Sequence, residues 1–210
     1  MRDHLARAAL SIYRSEGLDA ITFRRLAEYA GISHTLPYRY FADKDALLAR
    51  IRTDCFIEFD VYIRARESAS QAMSVHLNSI ARAYIEFASL NADIYRLMFS
   101  IEQPPPDRYP ELLAARRQLF DHAVNAVQAY VDAGELEGDA RTLVHALWIS
   151  LHGLMSLHVA NQLVHGRELD ELAGPLVEAA LVARSARKPA KTAAVLSIRP
   201  RQKAARRNKR

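Results

Sequence analysis

Cysteine is nearly missing from this 210-residue chain, with Cys55 its one thiol. One cysteine excludes an internal disulfide and suits a reducing compartment. Glycine is scarce at 7 residues, which argues against an all-β or fibrous protein. No uncharged run of 18 or more apolar residues occurs, and residues 1–16 are interrupted by Arg2, Asp3, His4, Arg7 and Arg14. Neither a membrane span nor a signal peptide is therefore expected, and the chain reads as soluble and cytoplasmic. Acidic residues are absent from residues 184–210, which hold eleven of the 29 Lys and Arg. The body is thus acidic, and the net charge of +5 comes from the tail. A block of Ala, Lys, Arg and Pro has little to bury, so residues 187–210 are expected to be a disordered basic tail. Such a tail either grips phosphates without sequence preference or merely solubilises the terminus.

What the chain does have is helical periodicity. Half its residues are hydrophobic, enough for a sizeable core. In TFRRLAEYAGISHTLPYRYF, residues 22–41, the apolar residues Phe23, Leu26, Ala27 and Ala30 recur on one helical face. Thr22 stands ahead of them as an N-cap, and Gly31 stops the run. Ser33 is placed to cap a second short helix from His34 that carries Tyr38, Arg39, Tyr40 and Phe41. Helix, glycine turn and helix make a helix-turn-helix, a unit whose second helix enters the major groove of DNA. Pro37 falls in the first turn of that helix, where its fixed dihedral is tolerated.

The remaining pattern is all-α, with about nine helices in total. A first helix spans about 2–16. Asp43 caps a long one over 44–66, with Leu47, Leu48, Ile51, Cys55, Phe59 and Tyr62 on its stripe. Further helices are expected at 71–90, 92–101 and 110–133, the last two separated by Pro104 to Pro106. Another spans 139–165, and the last, started or kinked at Gly174–Pro175, reaches about 186. The domains are expected as 1–46 for the helix-turn-helix and 47–186 for a helical second domain. The 139–165 helix is apolar on nearly every face, which suggests burial on several sides and a subunit interface. With the last helix, it would form a four-helix bundle in a homodimer, matching a palindromic DNA site.

Gly17, Thr22, Arg24, Leu26, Ala27, Ala30, Gly31, Ile32, Ser33, Tyr38, Tyr40, Phe41, Lys44 and Asp45 carry a dense motif. The first 50 residues thereby resemble the TetR (TetR/AcrR) family of bacterial transcriptional regulators. Leu36 and Pro37 depart from that family's pattern. Trp148, His152 and Gly153, with the segment IYRLMF at 94–99, resemble the family's WHG-type carboxy-terminal domain. The resemblance implies a regulator, most often a repressor, released from double-stranded DNA by a small-molecule inducer. Thr22, Arg24, Tyr38, Tyr40 and Lys44 would meet phosphates. Ser33 opens the reading helix, and base edges fall to His34, Thr35 and Leu36, with Arg39 as a further contact. With only short or apolar groups there, DNA shape would share the specificity. For the inducer, Tyr84, Phe87, Phe99, Phe120, Trp148, His152 and Met155 are the expected lining, which suits a largely apolar molecule.

Two other classes compete. An architectural DNA-binding protein without a ligand would leave the large carboxy-terminal domain unexplained. An enzyme would need a constellation that is missing: His145, His152, His158 and His165 are two turns apart, Cys55 lies on an apolar stripe, and no phosphate-cradling glycine loop or serine elbow occurs. No catalytic residue, cofactor or metal is expected.

Overall fold

The computed structural model describes residues 1–182 apart from residues 71, 100–102 and 106. The basic tail and the expected end of the last helix near 186 lie outside the described residues. Among the described residues there are eight α-helices, one 3-10 turn and no strand. The helices are α1 (Arg2–Glu16), α2 (Phe23–Ala30), α3 (Lys44–Arg66), α4 (Met73–Leu90), α5 (Ala92–Phe99), α6 (Pro110–Asp132), α7 (Ala140–Val159) and α8 (Leu169–Val182).

Local signals set the amino-terminal boundaries. Thr22 Oγ1 accepts the Arg25 amide at 3.1 Å, and Asp43 Oδ1 accepts the Ala46 amide at 2.7 Å, so both helices begin on capped ends. Gly31 closes α2 in the left-handed region at φ 64°, with Gly31 N–H on Glu28 O and Ile32 N–H on Ala27 O. That pairing satisfies two carbonyls that the helix end leaves open. Leu5, Ile12, Ile21, Leu26, Phe41 and Leu47 close the core of this three-element head.

The expected second helix of the motif does not form as an α-helix. Residues 33–36 form a turn, and only Pro37–Arg39 is helical, as a 3-10 turn. Pro37 carries no N–H, so it cannot reach back to Ser33 O, and the Leu36 amide takes that carbonyl instead at 3.0 Å. Arg39 and Tyr40 repeat the tighter spacing by bonding Leu36 O and Pro37 O. This is why eight α-helices stand where nine helices were expected.

α3 continues from the head into the body without a break, packing on α4 and α6, and α7 packs on α4, α6 and α8. α7 ends at Val159, six residues before the expected 165. Asn161 adopts φ 55°, and Gln162 N–H returns to Leu157 O at 2.7 Å, so asparagine plays the terminating role that glycine plays in α2. His165 therefore lies beyond α7. Pro175 lies inside α8. By length and mean hydropathy (1.2) α7 is apolar enough to cross a membrane, but core packing explains its buried faces.

Candidate nucleic-acid interface and ligand cavity

The head presents α2 and the turn after it to solvent. Tyr38 is 65% exposed, with its ring edge on Phe23 at 4.7 Å, so an aromatic contact from α2 fixes where it stands. Arg24 is more open still, its side chain 84% exposed and loosely held by Glu28 at 3.0 Å. Arg24, His34 and Tyr38 border one open cleft. Ser33, Thr35, Arg39 and Tyr40 are exposed, while Leu36 is half-buried. The Ser33 hydroxyl lies 3.3 Å from Thr35 Oγ1, and Thr22 has its oxygen engaged in the cap. Lys44 is half-buried, and its ammonium donates to Leu18 O at 3.0 Å. Its charge sits beside the α3 N-terminus, where backbone amides add to the positive field.

Several contacts tie this head to the body. Arg108 spans Asp43 at 2.8 Å and Asp45 at 3.3 Å, on the first turn of α3. Arg14 pairs with Asp93 at 3.0 Å, and the Tyr13 hydroxyl donates to Asp93 O at 2.8 Å. Arg52, buried within α3, donates to Leu97 O at 3.0 Å. Cys55, beside it in the core, is inert: burial pushes its thiol up to about 12.

In the body, α3, α4, α5, α6 and α7 enclose a cavity of about 340 Å³. Its inner wall is apolar: Phe56 and Ile63 from α3, Ile80 and Tyr84 from α4, Leu147 and Leu151 from α7. Of the residues expected to line it, Tyr84, Phe99, Phe120 and Trp148 do so. Phe87, His152 and Met155 do not. Phe87 is fully buried against Phe59, with ring centroids 4.3 Å apart, and Met155 is fully buried in the core.

His152 stands one layer behind the wall. It stacks on Trp148 at 5.6 Å, as residues at i and i+4 on one helix face should. Burial lowers its pKa, which favours the neutral imidazole. Tyr84 and Tyr95 hydroxyls are 2.8 Å apart, and Tyr95 is 2.7 Å from His152 Nδ1. The three groups form one hydrogen-bonded chain, in which the tautomer of His152 sets the direction: Nδ1 accepts from Tyr95 or donates to it, and the Tyr95–Tyr84 bond runs the same way. Burial raises both tyrosine pKa values, keeping the hydroxyls protonated as donors.

Sequence periodicity missed the outer edge of the cavity. Arg116, Arg117, Asp121 and His122 reach it from α6, and Arg141 and His145 from α7. Arg141 is paired with Asp121 at 2.6 Å. Arg116 and Arg117 have no carboxylate partner among the described residues. His122 turns its Nε2 to Glu67 at 2.7 Å, and His76 meets the same carboxylate at 2.5 Å. Burial opposes ionisation of Glu67, but the two imidazoles outweigh it and hold its carboxyl below the usual range.

An exposed helix and turn of helix-turn-helix spacing, its second element tightened to a 3-10 segment, carried on a hollow helical body, fits a DNA-binding transcription regulator. Residues 5–51 match the family described as bacterial regulatory proteins, tetR family, and residues 77–180 match the tetracyclin repressor-like C-terminal domain. The chain belongs to the TetR family of transcriptional regulators. No curated protein matches it. Among solved structures, it is similar to a protein of unknown function from Rhodococcus sp. RHA1, at 26% identity and a TM-score of 0.77, over 88% of this chain and 95% of that one. A tetR family transcription regulator from Shewanella sp. PV-4 shares the fold at 16% identity and a TM-score of 0.67, over 89% and 98% of the two chains. So does FadR from Bacillus subtilis in complex with stearoyl-CoA, at 12% identity and a TM-score of 0.70, over 86% and 98%.

Proposed function

We propose that this regulator is a cytoplasmic homodimer that represses transcription by holding a palindromic operator and releases it when a small molecule fills the cavity. The observation that carries the reading is the double use of α3. Phe56 and Ile63 form part of the cavity wall, and the first turn of the same helix adjoins the reading turn. A ligand that binds the releasing arrangement more tightly shifts the population toward it. FadR from Bacillus subtilis, of the same fold, holds stearoyl-CoA, which supports a ligand role for the body.

Dimerisation rests on α7. Ala146, Ile149, Gly153 and Leu157 form an exposed stripe, with Ile149 62% exposed. A Cβ on Gly153 would meet nothing within 4 Å, so no contact within the described chain calls for glycine there. A second copy packing backbone to backbone would. In α8, the helix expected to complete the bundle, Leu176 is half-buried and Val177 is buried against the chain's own core. Ala180, Leu181 and Ala183 have no described side chains.

On DNA, Thr22, Arg24, Tyr38, Tyr40 and Lys44 hold phosphates, and Ser33 to Leu36 with Arg39 face the groove floor. Selection from random duplexes, followed by anisotropy titration, tests the whole. One palindrome should emerge and bind one dimer. Tyr40→Phe and Lys44→Ala should weaken binding to every duplex by roughly similar factors, whereas Thr35→Ala should alter preference at one base pair. Equal losses across all duplexes for the three variants would contradict the division, and no selected palindrome would sink the reading.

A further inference from the structure

We propose that the cavity between α6 and α7 holds an amphiphile with an anionic head, its apolar body against the inner wall and its charge between Arg116 and Arg117. The inference rests on the ligand-responsive reading above and names the class of ligand.

Polarity is graded along the cavity. The residues on its deep side, including Ile63, Ala81, Val144 and Leu147, are buried and apolar, whereas Arg117, Arg141 and His145 are exposed. The polar groups that do reach inward are already engaged. The Tyr84 hydroxyl is bonded to Tyr95, and His122 Nε2 to Glu67. A ligand with a polar inner end would therefore lose its water without compensation. An apolar inner end loses nothing.

The rim is cationic, not merely polar. Among the described residues Asp121 is the one acid bordering the cavity, and its charge is taken by Arg141. Arg116 is half-buried, its guanidinium 5.8 Å from the centre of the Phe56 ring, and Arg117 beside it is exposed. Two guanidinium groups without a carboxylate partner among the described residues, at the edge of an apolar space, favour a carboxylate or phosphate and repel a cation. The same head chemistry is offered by a free carboxylic acid and by a coenzyme A thioester, whose phosphates would lie at the rim.

Trp148 is the chain's one tryptophan and it lines the cavity, so its emission reports occupancy directly. Decanoate and decanoyl-coenzyme A are titrated below their micellar concentrations and decan-1-ol below its solubility limit. At least one anionic probe should bind about tenfold tighter than the alcohol, since a charge-assisted contact of this kind is lost with the charge. A decanoate preference assigns the free acid, and a decanoyl-coenzyme A preference the thioester. The joint variant Arg116→Gln, Arg117→Gln should bring the anion-to-alcohol ratio close to one with alcohol affinity unchanged. The exposed single change Arg117→Glu should lower the ratio in the same direction, which covers misfolding of the joint variant.

Equal affinity for all three probes, a ratio that survives the joint variant, or no emission change with any probe would overturn the proposal. Operator affinity measured in the same samples separates the two readings. Decanol releasing the operator as well as the anions do would sink the anionic head and leave ligand release standing. An anion bound through Arg116 and Arg117 that leaves operator affinity unchanged would sink ligand release and leave the head assignment standing.

Discussion

Glu67 closes α3 and gathers two imidazoles, His76 from α4 and His122 from α6, on one carboxylate. His76 is completed by Tyr130, whose hydroxyl lies 2.9 Å from Nδ1. Because the folded protein lowers the Glu67 pKa, its ionised form contributes stability above the ordinary glutamate range. That contribution disappears as pH falls through the lowered folded value. Glu67→Gln is therefore expected to cost about 2 kcal/mol near pH 7, with the gap to the parent narrowing toward pH 3. Urea unfolding at both pH values checks it, and a gap independent of pH would refute the ionic role. Sequence did not disclose this cluster, since its members lie 9 and 55 residues apart and none breaks a helical pattern. Thr22, Asp43 and Gly31 were legible because capping acts within four residues of chain.

Among the elements, periodicity placed α1 and α3 to the residue; Asp43 marks the start of α3 as a side-chain cap, whereas α1 begins at Met1 with no side-chain cap and rests on its apolar spacing alone. The reading element was misjudged for an equally physical reason. Its composition suits a helix, but proline in the first turn removes the donor that an α-helix uses there. Pro37→Ala restores that N–H, and the 33–39 segment is expected to lengthen toward an α-helix. Hydrogen exchange should then show a protected amide at position 37, with operator preference changed at the bases facing His34 and Thr35. An unprotected amide would mean that packing of Tyr38 on Phe23, rather than proline, sets the turn. α7 was overextended because the polar and apolar alternation runs on past Val159, while the stop signal is a single left-handed asparagine. The cavity rim escaped notice because periodicity marks residues that point inward, and Arg116, Arg117 and Arg141 sit at the border of that face.

For the whole molecule, the α7 stripe makes a prediction independent of any ligand. Ile149→Lys places a charge in the middle of a face that a second copy would bury. The dimer dissociation constant is expected to rise at least about tenfold, read by sedimentation across a dilution series. Operator affinity should fall with it, since one head alone reads half a palindrome. A variant that sediments like its parent would place the subunit contact elsewhere.

The unbroken passage of α3 through both parts has a mechanical consequence. Its 23 residues span about 34 Å, so a pivot of 5° about its cavity end swings its other end by about 3 Å. In the proposed dimer the paired heads would part or close by up to about twice that, against a duplex turn of about 34 Å. On the proposed reading, a modest angular adjustment deep in the body would thus leave one head out of phase with its groove.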